Sequence, residues 1–176
     1  IVIARSFMVS ALTTYLPTFL SNEGAGLFFA GASLSLLEGA GVIGALLGGS
    51  ISDRLGRRVV LLISMFATPL LMFAFLAVDG WFYVPLLLLL GLSALSVGPV
   101  IMPLVQEILP ETGALANGVY MALSFLLRSG VILVIGVIGD WLGLRSAFAV
   151  SAAVPLVGLP FILLLPRKSA KSAARP

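Results

Sequence analysis

The chain has 176 residues, 60% hydrophobic and only 10% charged, with a formal net charge of +3; a soluble domain carries about 25% charged residues. So little polar material cannot cover a water-facing surface, and the exterior is expected to face lipid. There is no Cys and no His. Disulfide scaffolds, thiol nucleophiles, the commonest metal ligand and the usual near-neutral base are therefore excluded, and with them most hydrolase and metalloenzyme chemistry.

Ile1 opens inside an apolar run with no charged n-region and no cleavage pattern, so no signal peptide is read there and preceding residues are expected. A helix needs about 20 apolar residues to cross the hydrocarbon layer. Six segments reach that length. The first is 2–20, closed by a short turn at Ser21 to Gly24. The second is 27–49, followed by a polar connection over 50–58 that carries Arg54, Arg57 and Arg58. The third is 59–78, and Asp79 and Gly80 turn the chain. The fourth, 81–105, starts with Trp81 and Tyr83, both suited to the membrane interface. Pro99 and Pro103 mark it as the helix expected to bend. A polar link leads to the fifth, 114–138. Asp140, Trp141 and Gly143 mark the next turn, and the sixth runs over 145–165 to Pro166.

The expected fold is an all-α polytopic membrane protein, with a six-helix bundle over 1–166 and a basic, cytoplasmic tail over 167–176. A soluble bundle would show a polar face on 59–78, and none is present. A β-barrel would need short alternating segments. The Arg cluster at 54–58 and the tail residues Arg167, Lys168, Lys171 and Arg175 fall on the same side of six spans. That side is expected to be the cytoplasm, in an inner (plasma) membrane. Basic charge placed in this way records topology, and no nucleic-acid partner is expected.

Gly49-Ser50-Ile51-Ser52-Asp53-Arg54-Leu55-Gly56-Arg57-Arg58 recurs, about half a chain length later, as Gly136-Val137-Ile138-Gly139-Asp140-Trp141-Leu142-Gly143-Leu144-Arg145. Gly, Ile, Asp, Leu, Gly and Arg repeat in register. One copy joins spans two and three, the other spans five and six, on opposite sides of the membrane. Two three-helix units of inverted topology would give this arrangement. Gly48, Gly49 and Gly136 would allow close helix approach. Asp53 and Asp140 would accept bonds from free amides at a helix start. Gly56 and Gly143 would permit tight turns. The first copy reads as a gating latch.

Charges within spans are costly and mark function. Arg5, Glu38 and Arg128 are three such charges. Counted along their helices, Glu38 and Arg128 both lie about 18 Å from the cytoplasmic end. They are expected to face each other or a central cavity, either with Arg128 binding an anionic group and Glu38 acting as counter-charge and proton switch, or as a static fastener within the bundle. Arg5 reads either as a snorkelling side chain or as a cavity contact. Tyr120 and Ser124 precede Arg128 by one and two turns and share its face. No ATP-binding loop, cofactor motif or metal cluster is read.

The stretch Gly49 to Arg58 resembles the Gly-x-x-x-Asp-Arg-x-Gly-Arg-Arg loop of the major facilitator superfamily. Gly136 to Gly143 resembles the family's junction between helices eleven and twelve. Arg5-Ser6-Phe7 and Tyr15-Leu16-Pro17 are similar to its fosmidomycin-resistance branch of drug exporters. The resemblance implies the carboxy-terminal half of a two-bundle transporter; an amino-terminal half is the second assignment. It also implies a missing amino-terminal six-helix half, a small-molecule substrate and proton-coupled alternating access. Drug or anion efflux is the first reading, uptake of a sugar or organic acid the second, and a non-transporting scaffold the third. The lipid-facing exterior predicts that the protein stays in carbonate-washed membranes and leaves them only with detergent. A folded, monodisperse chain in plain buffer would contradict this.

Overall fold

The computed structural model describes residues 2–55, 57–78, 80–96 and 113–163, and all regular structure among them is helical. The first rod is three pieces in series: α1 (Val2–Ser10), a π-helical turn (Ala11–Tyr15) and α2 (Leu16–Asn22). Pro17 explains the break. It has no N–H for the Thr13 carbonyl four residues back, and its ring crowds that carbonyl, so the winding widens there. Gly24 turns the chain at φ +86° into α3 (Leu27–Leu55). α4 covers Arg57–Ala77. A short 3-10 turn, Gly80–Phe82, leads into α5 (Tyr83–Leu95). α6 (Gly113–Leu142) and α7 (Leu144–Leu163) complete six rods. Pro99 and Pro103 lie outside the described residues.

Among the described residues, Leu27–Ser52, Val59–Ala77 and Asn117–Leu142 are long and apolar enough to cross a membrane, while Gly80–Leu95 and Leu144–Val157 are shorter apolar helices. Large apolar side chains such as Phe28, Leu46, Phe66, Phe125, Leu126 and Leu133 point outward. The molecule is an all-α polytopic membrane protein whose exterior uses hydrocarbon as solvent.

Two predicted connections differ. Residues 50–55, expected as loop, continue α3. Asp53 therefore sits at the end of one helix rather than the start of the next; the side chains of Asp53, Arg54, Arg57 and Arg58, and all of Gly56, lie outside the described residues. Asp140 likewise falls inside α6, exposed in its last turn. No side-chain bond from it is found among the described residues, because the junction is a single residue three positions later. That residue is Gly143, at φ +83°, whose carbonyl accepts the Ala147 amide at 3.2 Å. The expected glycine turn is present there, and a side chain at that φ would be strained.

α3 and α5 form the tightest pair. A Cβ on Gly44 would strike the Leu92 backbone, and one on Gly91 would strike the Leu37 carbonyl. The two backbones meet directly, as small residues allow in lipid, where packing replaces the hydrophobic effect between helices. Gly48 faces the Ser96 backbone, but Gly49 faces open space, so only the first of the expected pair serves this contact. α4 packs on α7 and α5, and α6 on α7 and α1.

The end of the bundle holding the α2–α3 turn has a rigid cap. Phe19 stacks on Phe148 (4.7 Å between centroids) and touches Phe75 (5.8 Å), which meets Tyr83 (4.9 Å). Arg145 closes over this cluster. Its guanidinium pairs with Glu23 at 3.3 Å and donates to the Leu76 carbonyl at 2.5 Å. Leu76 lies in the last turn of α4, where the helix dipole favours a cation. The last residue of the loop repeat thus forms a clasp joining the α2–α3 turn, α4 and α7, a role that spacing alone did not specify.

Gly44→Val should lower stability by about 1–3 kcal/mol through overpacking, read as a lower apparent Tm in detergent. Arg145→Met should lower Tm more than Glu23→Gln. The exposed ion pair contributes only about 0–1 kcal/mol, whereas the charged bond to Leu76 contributes about 1.5–3 kcal/mol. The reverse order would remove the carbonyl bond from this account.

Candidate functional site

α1, the π turn and α6 are packed along one another with the same chain direction, and their contacts form a ladder. At the lower rung, Arg5 on α1 lies within electrostatic reach of Tyr120 and Arg128 on α6. In the middle, Arg128 Nη2 donates to Thr13 Oγ1 at 2.8 Å. At the top, the Tyr15 hydroxyl donates to the Ile132 carbonyl at 2.9 Å. Arg128, Ile132 and Gly136 are spaced four apart, so they line one stripe of α6. A Cβ on Gly136 would lie 2.8 Å from the Tyr15 hydroxyl. The glycine thus keeps a notch open for a phenol rather than for a second backbone.

Arg5 does not snorkel. It turns inward, and its Nη2 donates to the Ala94 carbonyl of α5 at 3.3 Å. Its Nε is enclosed and has no hydrogen-bond partner among the described residues. A cavity of about 10 Å³ beside it, walled in part by Met8, Ser64, Met65 and Thr68, has room for about one water. The hydroxyls on that side spend their protons elsewhere: Ser64 donates to the Ser93 carbonyl at 2.5 Å, and Thr68 reaches the Ser64 carbonyl at 2.7 Å. No carboxylate among the described residues pairs with Arg5 or Arg128. Two guanidiniums and one phenol, with no acid paired to them among the described residues, give this region a positive charge.

The expected Glu38–Arg128 pair is not formed. Both side chains are exposed, but α3 packs chiefly on α5, while α6 packs on α1 and α7. Equal depth does not make two helices neighbours. Glu38 stands on a face of α3 with Gly31, Ser35 and Gly39, all exposed. Ser124 is half-buried on the Tyr120–Arg128 stripe, and no bond from it is found among the described residues.

Thr13 and Tyr15 were not singled out from the sequence as partners of Arg128. Pro17, four residues after Thr13, is the signal that the helix widens there. Most other hydroxyls behave as isolated ones in lipid do, bonding within their own helix: Ser33 to Ala30, Ser129 to Phe125 and Ser151 to Ala147. Ser64, Thr68 and Ser93 behave differently and tie α4 to α5.

The chain is 25% identical over 170 residues to the fosmidomycin resistance protein of Escherichia coli (strain K12), an alignment covering 93% of this chain and 41% of that protein. The chain therefore spans less than half the length of this relative. No solved structure matches it. Residues 1–131 match the Major Facilitator Superfamily, most of a chain whose six helical rods are built for lipid, and the chain belongs to that family.

Proposed function

We propose that the chain is the carboxy-terminal half of a secondary transporter that exports a small anionic solute by alternating access, in exchange for protons. Family membership separates it from enzymes. The single observation that carries the anionic reading is the pair of guanidiniums, Arg5 and Arg128, gathered with Tyr120 between α1 and α6 without a carboxylate among the described residues. A charge held at membrane depth costs about 2.5–3.5 kcal/mol even on the lenient insertion scale. Two cations side by side add repulsion, which an anion bearing a phosphate- or carboxylate-like group would relieve with bidentate bonds. The fosmidomycin resistance of the relative supports export. Uptake of an organic acid would use the same cations in the opposite direction.

Glu38 is the proton-coupling residue in this reading. It has no ion-pair partner among the described residues and lies on the small-residue face of α3, where a bare carboxylate would be unfavourable against lipid. That face belongs against the amino-terminal half, with the carboxyl open to the pathway between halves. The two loop copies then belong to inverted three-helix units, with the 50–58 side and the tail in the cytoplasm of an inner membrane.

Counterflow in proteoliposomes containing the full-length protein tests this across a panel of drugs, sugars and organic acids, with and without a pH gradient. Anionic members should exchange. Arg128→Gln should reduce their exchange about tenfold or more, as expected when one member of a desolvated charge contact is lost. Glu38→Gln should keep exchange but remove the effect of the pH gradient. Exchange confined to neutral sugars, or an unaltered pH response in Glu38→Gln, would overturn the corresponding assignment.

A further inference from the structure

We infer that Thr13 is a positioning residue for the Arg128 guanidinium, and that the π turn exists to present it. The inference rests on the anion reading of Arg128 given above. Thr13 Oγ1 donates its proton to the Val9 carbonyl at 2.8 Å. It therefore faces Arg128 with lone pairs alone and can only accept, which it does at 2.8 Å. A flexible, exposed arginine is thereby held at one nitrogen, leaving its other N–H groups free for an anion. Holding a guanidinium in advance reduces the ordering cost at the moment of binding.

The backbone supports this role. Pro17 cannot bond the Thr13 carbonyl in the ordinary helical way, and the winding opens over Ala11–Tyr15. The same turn carries Tyr15, whose hydroxyl is anchored on the Ile132 carbonyl, one helical turn beyond Arg128 on α6. The Gly136 notch admits that hydroxyl. Tyr15 thus sets the register between the two helices, and Thr13 uses that register to fix the arginine. A threonine bonded only within its own helix would have no such effect.

The test is protection of Arg128 from phenylglyoxal by inorganic phosphate, in membranes carrying the full-length protein, with adducts counted by mass spectrometry. Labelling of Arg145, a half-exposed arginine outside the site, reports that the bundle remains intact. In the wild type, phosphate should slow labelling of Arg128 and leave Arg145 unaffected. Thr13→Val should speed labelling of Arg128 without phosphate and raise the half-protecting phosphate concentration about tenfold. Thr13→Ser, which keeps the hydroxyl, should stay within about twofold of wild type on both measures. If phosphate protects Arg128 equally well in wild type and Thr13→Val, the positioning role is wrong while the anion reading stands. If phosphate fails to protect Arg128 even in the wild type, the anion reading fails and takes the positioning role with it.

Discussion

Hydrocarbon offers no hydrogen bonds, so every polar group inside the spans must find its partner within the protein. That constraint sorts the polar side chains into two groups. Ser33, Ser129 and Ser151 close on carbonyls of their own helices and carry no information about neighbours. Ser64, Tyr15 and Arg5 instead reach carbonyls of other helices, those of Ser93, Ile132 and Ala94. The second group determines which helices lie side by side, because each bond would cost its desolvation if the helices separated. The glycine contacts of α3 and α5 add close packing to the same arrangement. They supply dispersion contact where burial against lipid supplies almost nothing.

The same solvent gives the charges their meaning. Arg145 can afford an exposed position because it sits at a helix junction beside Glu23, with α4's carbonyl end beneath it. Among the described residues, Arg5 and Arg128 have no such acidic partner: one donates to the Ala94 carbonyl and keeps an enclosed nitrogen unbonded, and the other meets a neutral hydroxyl. A structural fastener would satisfy both charges internally, as the Arg145 clasp does. The two ends of the bundle thus differ: the Arg145 charge is met by Glu23 and the Leu76 carbonyl, whereas no acid among the described residues pairs with Arg5 or Arg128.

Helix type and approximate extent were legible in the sequence because each run of about 20 apolar residues admits no other structure in lipid. The Gly143 turn was legible because only glycine takes that φ without strain. Helix neighbours were not. Glu38 and Arg128 matched in depth, yet depth is one coordinate of three, and nothing in a single sequence gives the direction each helix faces. Arg5 illustrates the same limit: its position near a helix end allowed snorkelling, but the Ala94 carbonyl lay on a helix some ninety residues away. The junctions were misread for a different reason. Polar residues at 50–55 have a loop-like composition, yet they continue α3, because a helix emerging from the bilayer can extend into water with a polar surface.

The loop repeat joins these observations. Its second copy begins at Gly136, where a missing side chain admits the Tyr15 hydroxyl, and ends at Arg145, which clasps the far end of the bundle. Between them run two turns of α6 and the single-residue junction at Gly143. The motif therefore does more than turn the chain. One end fixes α6 against the π turn, close to Arg128, and the other ties α7 to α4 and to the turn after α2. Of the described helices long enough to cross a membrane, α6 is the least buried, so its place beside α1 and the π turn draws on the bonds at Thr13 and Tyr15 and on the notch at Gly136.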